Sequence, residues 1–106
     1  MAQRIKWSLE ALEDLEHHAR FVEQDSPYYA SAVVTRIIES VEECGVHPEI
    51  GRKVPELDDS EFRERIVYRY RIIYRNANNL ILVVAIIHGS RDFQPHLSKI
   101  VGGSNK

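Results

Sequence analysis

The sequence of 106 residues contains only one cysteine, Cys44. A single cysteine excludes an internal disulfide framework and any metal site built from several thiolates. Long apolar runs are missing too, because the longest, residues 80–87, is about half of what a membrane-spanning helix needs. The N-terminus contains no stretch that resembles a signal peptide. The length fits one compact domain, which we predict to be cytoplasmic.

The sequence also lacks the strong positive charge that is typical of proteins that coat nucleic acid. Its net charge is −2, but the charge is unevenly distributed along the chain. Residues 8–50 contain ten acids and two arginines, whereas residues 51–75 contain seven basic residues and five acids. This segregation predicts two surfaces with different partners.

Two helices are predicted in the acidic half of the chain. Ser8 suits the N-cap of the first helix, which extends to about Asp25. Ser26, followed by Pro27, suits the start of the second helix, which ends near Gly45. Both helices have apolar residues three or four positions apart on one face. Because the link between them is short, we predict an antiparallel helical hairpin.

Strands are predicted before and after the helices, at residues 4–7, 62–67, 70–75 and 80–88. A turn near Tyr68 and Arg69 divides the second and third strands, because one strand of that length would exceed so small a domain. The sequence "NANN" suits the next turn. The last strand is apolar at every position from 80 to 87, so we expect cover on both of its faces.

The element order β-α-α-β-β-β predicts an α+β domain. We expect the helical hairpin to pack on one face of a mainly antiparallel, twisted sheet. The domain would occupy residues 1–98, followed by a flexible, glycine-containing tail at residues 99–106.

Five arginines are concentrated between residues 63 and 75. One explanation pairs them with acids such as Glu64, which the predicted register places diagonal to Arg71. That explanation fits all five less well, since few acids lie within reach on the predicted sheet. The other explanation makes the sheet face without helices a cationic surface for phosphates or carboxylates. The candidate residues of that surface are Arg52, Arg63, Arg65, Arg69, Arg75 and Arg91.

Three further residues suit acid–base cleavage of a phosphodiester, which needs a base, an acid and a cation on the phosphate. Glu56, His88 and Arg71 supply these roles if the strands bring them together. Each has an ordinary alternative, Glu56 as a solvated loop acid and His88 as a structural hydrogen-bonding residue. We predict no metal and no cofactor, because no spacing of carboxylates and histidines resembles a ligand set.

Several short motifs, in their order and spacing, resemble the RelE/ParE superfamily, the toxins of type II toxin–antitoxin (plasmid stabilisation) systems. The motifs include "HPEIGRKVPEL", "YRIIYR" and "VVAIIHGSRD", and the resemblance extends from about residue 6 to residue 92. It implies the fold predicted above and a growth-inhibiting toxin. It also implies a hetero-oligomer with a cognate antitoxin, a small and often acidic protein whose disordered segment folds on the toxin.

The superfamily contains two mechanisms, and the sequence leaves both open. Alignment with YoeB-like members, which cut mRNA on the ribosome, puts Glu56, Arg71 and His88 on the positions of the base, the phosphate clamp and the acid. Gly89 replaces the aromatic residue that follows the histidine there. ParE-like members poison DNA gyrase and lack the complete nuclease set. The net charge and the "HGSRD" segment favour this second branch, in which the protein would not be an enzyme.

A third hypothesis makes the domain a non-toxic binding module with an eroded site. A growth assay in a bacterial host separates it from both toxin hypotheses. Folded protein would accumulate without slowing growth.

Overall fold

The structure is a computed structural model that describes residues 2–89, 92–97 and 100. Its elements in chain order are β1 (Arg4–Trp7), α1 (Leu9–Glu23), α2 (Pro27–Val46), β2 (Arg52–Lys53), β3 (Phe62–Val67), β4 (Tyr70–Ala77) and β5 (Leu80–His88). Residues 94–97 form one further helical turn. The predicted α+β class is confirmed, and the short strand β2 adds to the predicted order.

Both helices begin at the predicted serines. Ser8 Oγ accepts a hydrogen bond of 3.0 Å from Ala11 N, and Ser26 Oγ accepts one of 3.1 Å from Tyr29 N. Each bond satisfies a backbone donor that has no partner within its helix. Neither helix, nor any other in the described part of the chain, is long and apolar enough to span a bilayer.

Gly45 lies in the last turn of α2 rather than after it. Its carbonyl oxygen accepts a 2.8 Å hydrogen bond from Gln3 N, which brings the start of β1 against the helix. A Cβ atom at this position would lie 2.9 Å from Ile5 Cδ1. The glycine therefore permits close contact between β1 and α2, and the helix continues past it to Val46.

The five strands form one mixed sheet in the order β1-β5-β4-β3-β2. β1 pairs with β5 in parallel, and the other pairs are antiparallel. The register of β3 and β4 is the predicted one, with Glu64 opposite Ile73 and Ile66 opposite Arg71. Because pairing partners share a face of the sheet, this register assigns each arginine to a side.

The sheet separates the two largest apolar clusters of the described residues. On the side that we call the helix side, α1 and α2 pack on the sheet through Ala11, Val33, Ile37, Val41, Val67, Tyr70, Ile72, Val83 and Ile86. On the opposite side, the loop side, the cluster contains Val54, Phe62, Ile73, Val84, Ala85, Ile87, Phe93 and Ile100. β5 contributes to both clusters, which confirms that it is covered on both faces.

The loop side is not the open cationic face that the second explanation of the strand arginines requires. Val54, from the segment after α2, and Phe93, from the C-terminal part of the chain, close over it. Ile100 lies within the predicted tail of residues 99–106, yet it is fully buried in the same cluster. The other residues of the predicted tail lie outside the described part of the chain.

Candidate functional site

The segment between α2 and β3 is fastened to the sheet by Tyr74. The buried hydroxyl of this residue donates a 2.8 Å hydrogen bond to Pro48 O and accepts one of 3.0 Å from Gly51 N. Burial raises the pKa of Tyr74 to about 12. A Cβ atom on Gly51 would lie 2.7 Å from the hydroxyl oxygen, so a larger residue would push the segment off. The anchored segment carries Arg52 and Glu56 to the edge of the sheet.

Glu64 is a buried carboxylate at the centre of the site, and its side chain is 0% exposed. Its two oxygens accept hydrogen bonds from different arginines, at 2.5 Å from Arg52 Nε and at 2.8 Å from Arg71 Nε. A second nitrogen of Arg71 lies 2.6 Å from the same carboxylate. A buried charge needs such partners, because an unpaired carboxylate in the interior is strongly unfavourable.

Arg71 is shared between Glu64 and Glu56. Its two terminal nitrogens bind the two oxygens of Glu56 at 2.8 and 2.7 Å, the bidentate geometry that a guanidinium also uses for phosphate. Its Cζ atom lies 5.1 Å from the centre of the Phe93 ring, and the side chain is only 14% exposed. Glu56 and Glu64 thus bind the guanidinium nitrogens that a phosphate would also use.

The same ion pair changes the acid–base properties of both residues. Hydrogen bonds from Arg71 lower the pKa of Glu56, and those to Glu56 raise the pKa of Arg71. A carboxylate with a lowered pKa is a weaker base. Glu56 is thus held as an ion-pair partner of Arg71.

The register places His88 on the other side of the sheet from Arg71. His88 pairs with Tyr70, whereas Arg71 pairs with Ile87, which belongs to the loop-side cluster. The His88 ring lies edge-on to the Tyr70 ring, with centroids 5.4 Å apart. The fold therefore joins two of the three predicted catalytic residues, Glu56 and Arg71, in an ion pair. His88 is directed to the helix side, although it borders the same pocket as Arg71 at the end of the sheet.

A histidine that the sequence analysis did not select lies on the other side of Tyr70. The His18 ring is 4.8 Å from the Tyr70 ring, and its Nε2 lies 2.8 Å from Ile86 O. Asp14, one turn earlier on α1, accepts a 3.0 Å hydrogen bond from Ile86 N. Burial lowers the pKa of His18. These two contacts fasten α1 to the part of β5 beyond its pairing with β1.

Most of the predicted cationic residues have a carboxylate within 4.0 Å. The pairs are Arg52–Glu64, Arg63–Glu49, Arg65–Glu43 and Arg75–Glu61, and Arg71 pairs with both Glu56 and Glu64. The expectation of too few acids was wrong, because α2 and the segments flanking β3 supply acids that a sheet alone does not. Arg69, exposed at the β3–β4 turn, has no ion pair within the described residues. Arg91 lies outside them.

The central role of Glu64 was missed by the sequence analysis, although a signal for it existed. Glu64 lies two positions from Phe62 and from Ile66, so it shares their face of the strand. Of these two neighbours, Phe62 is buried and Ile66 is exposed, so Phe62 carries the signal that Glu64 points into the protein, where a carboxylate needs cationic partners.

Neither a metal site nor a reactive thiol emerges from this geometry. The described residues contain no group of three or more His, Cys, Asp or Glu placed to hold a metal ion. Cys44 is buried, and burial raises the pKa of its thiol. What the site contains is an arginine shared between two carboxylates, Glu56 and Glu64.

A helical hairpin on a twisted, five-stranded mixed sheet is the architecture of the RelE/ParE superfamily of toxins. Residues 5–93 match the family described as the ParE toxin of the type II toxin–antitoxin system parDE. The chain therefore belongs to the ParE toxin family. A search of curated proteins finds no significant match.

Two solved structures illustrate the similarity of the fold. The chromosomal ParDE toxin–antitoxin system from P. aeruginosa superposes with a TM-score of 0.67 at 20% identity, over 82% of this chain and 96% of that chain. The toxin–antitoxin complex RelBE2 from Mycobacterium tuberculosis gives a TM-score of 0.60 at 13% identity, over 83% and 99% of the two chains. At these identities the similarity concerns the fold.

Proposed function

We propose that this protein inhibits growth by poisoning DNA gyrase and that a cognate antitoxin neutralises it. The observation that supports this choice of target is that the guanidinium of Arg71 is already bound by Glu56 and Glu64. A ribosome-dependent nuclease needs a cation that is available to the scissile phosphate and a base with a suitable pKa. Here the cation is Arg71, and its hydrogen-bond donors are bound to Glu56 and Glu64. The same interaction lowers the pKa of Glu56.

Two further features support the same choice. The register directs His88 and Arg71 to opposite sides of the sheet, whereas acid and phosphate clamp must act on one phosphodiester. The net charge of −2 provides little general attraction to ribosomal RNA. A partner protein such as gyrase can be bound through surface shape and local charge, without a nuclease site.

The antitoxin partner is part of the proposal. The solved ParDE and RelBE2 structures named above are toxin–antitoxin assemblies. We extend that assembly to this chain as a hetero-oligomer. A cytoplasmic location belongs to the same proposal, since gyrase acts on the bacterial chromosome.

Induction of the chain in a bacterial host, with new protein and new DNA labelled in parallel, tests the target. We expect early DNA damage and trapped gyrase cleavage complexes while translation continues. Purified gyrase should accumulate the same cleaved DNA when the purified chain is added. Rapid loss of protein synthesis with DNA synthesis intact would instead identify the nuclease.

Two conservative variants separate the mechanisms residue by residue. Under the proposal, Glu56→Gln and His88→Gln still inhibit growth, because neither residue takes part in catalysis. Under the nuclease alternative, each variant abolishes mRNA cutting in a translating extract. Glu49→Gln is the matched control for expression, since that carboxylate is 80% exposed.

The nuclease alternative has one observation in its favour. Arg71 and His88 both border the same pocket of about 370 Å³ at the end of the sheet. The third hypothesis, a non-toxic binding module, predicts normal growth while folded protein accumulates.

A further inference from the structure

The end of β5 has an edge that β1 does not cover. β1 pairs with β5 as far as Val83, which lies opposite Trp7. Three positions further on, the backbone of Ile86 binds two side chains of α1 instead of a strand. Its N–H donates to Asp14 Oδ2 at 3.0 Å, and its carbonyl oxygen accepts from His18 Nε2 at 2.8 Å. One turn of α1 therefore satisfies the two backbone groups that a neighbouring strand would otherwise bind.

α1 buries few residues of its own. Within this helix, all of which the structure describes, Ala11 is the only buried residue. Leu12 and Phe21 are 47% and 65% exposed. Asp14 and His18 are four positions apart, so they lie on the same face of the helix. Because apolar burial provides most of the stability of a helix in a protein, α1 depends on these two polar contacts for its attachment to the sheet.

Further titratable groups surround His18 on the elements that pack against it. They are Asp14 and His17 on α1, Tyr70 on β4 and His88 on β5, with Tyr29 of α2 beside Tyr70. The Tyr70 ring lies between two imidazoles, with its centroid 4.8 Å from that of His18 and 5.4 Å from that of His88. Asp14 favours a positive charge on the His18 ring. His17 and His88 disfavour that charge when they are protonated.

The surroundings of His18 favour its neutral form. Burial lowers the pKa of this residue, and the hydrogen bond with Ile86 and the charge of Asp14 do not compensate. A protonated ring would keep its N–H directed at Ile86 O, but it would carry a charge in a half-buried position. Water solvates that charge when α1 moves away from the sheet, so the open arrangement binds the proton more tightly. Opening is therefore favoured as the pH decreases below the ordinary pKa of 6.5.

We propose that Asp14 and His18 form an acid-sensitive clasp between α1 and β5. At neutral pH, the uncharged ring of His18 holds α1 on the strand. In mild acid, the protonated ring favours release of α1, which uncovers the backbone edge of β5 at Ile86. The sheet stays intact, because β5 remains paired with β1 and β4. The clasp is independent of whether the toxin acts on gyrase or on mRNA.

Native-state hydrogen exchange of the purified chain, followed by NMR at several pH values and low urea concentrations, tests the clasp. The Ile86 amide reports release directly, because its partner is Asp14. The Ile72 amide, in the central strand β4, is the comparison. After correction for the intrinsic exchange rate, we expect the protection of Ile86 to fall about 5-fold between pH 7 and pH 5. It should be about 10-fold or more below that of Ile72 and less sensitive to urea, because a local opening exposes little surface.

Two variants test the role of charge. His18→Gln keeps a donor for Ile86 O but cannot be protonated, so the protection of Ile86 should lose its pH dependence. His88→Gln removes a neighbouring charge, so the NMR titration of the His18 ring should move to higher pH. A histidine that served only as a hydrogen-bond donor would titrate at the same pH in this variant. His47→Gln, at an exposed histidine after α2, is the control and should change neither measurement.

Each of three results would overturn the proposal. The first is equal protection and equal urea dependence of Ile86 and Ile72, which would mean that α1 leaves the sheet only on global unfolding. The second is an unchanged pH dependence at Ile86 in His18→Gln. The third is an unchanged titration of the His18 ring in His88→Gln. Because gyrase and ribosomes are absent from these experiments, failure here leaves the proposed target unaffected.

Discussion

The two sides of the sheet bury similar apolar residues but differ in where their ion pairs lie. On the helix side, ion pairs such as Arg65–Glu43 lie at the margin, where Glu43 is 45% exposed. On the loop side, a carboxylate with 0% exposure lies among apolar residues, bound to Arg52 and Arg71. A buried charge with fixed partners specifies position more strongly than it adds stability. The loop side is therefore where the chain holds Glu56 and Arg71 in place.

The largest expected effect comes from removing the buried carboxylate. Glu64→Ala should lower the free energy of unfolding by about 3 kcal/mol, because it leaves a cavity and deprives Arg52 and Arg71 of a partner. Urea denaturation at neutral pH measures the change. Glu64→Gln should cost less, since its amide oxygen still accepts from Arg71. A loss below about 1 kcal/mol for Glu64→Ala would show that apolar packing alone holds the loop side.

A smaller effect is expected at the anchor of the segment that carries Arg52 and Glu56. Tyr74→Phe removes the hydroxyl that joins Pro48 O to Gly51 N, at a cost of about 1–2 kcal/mol for the unsatisfied backbone groups. Hydrogen exchange should show faster exchange at the Gly51 amide, while amides of α1 remain protected. Unchanged exchange at Gly51 would mean that the pairing of β2 with β3 suffices to hold the segment.

On the helix side, His18 is expected to make the stability of the protein depend on pH. Burial lowers the pKa of His18 in the folded protein below the usual 6.5. The unfolded chain therefore binds the proton more readily, so stability is complete above pH 6.5 and falls as the pH decreases through the folded pKa. His18→Gln keeps a donor for Ile86 O and should flatten this decline in urea titrations at several pH values. His47→Gln, at an exposed histidine after α2, is the control, and an unchanged slope in His18→Gln would contradict the assignment.

The smallest effect is expected for the marginal ion pair of the helix side. Arg65→Gln should cost about 0.2–1 kcal/mol, because partly exposed pairs are screened by water and salt. The cost should shrink further in high salt. A loss as large as that of Glu64→Ala would remove the contrast between the two sides.

Part of the site was predictable from local sequence. Glu56 and Arg71 were singled out together, and the structure joins them as an ion pair. The period of β3 contains the signal that Glu64 points inward, because it shares a face with the buried Phe62. The separation of His88 from Arg71 needed the exact pairing of β4 with β5, which the sequence did not specify.

The sequence by itself determined the features that depend on neighbours in the chain. The serine caps, the helical hairpin, the break at Tyr68 and the register of β3 against β4 all follow from residues a few positions apart. Only the tertiary structure decided that β1 joins β5 in parallel and that the loop side is closed. The tertiary structure also determined which acid each arginine binds. Such contacts join residues distant in sequence, so their formation depends on how the whole chain closes around its two cores.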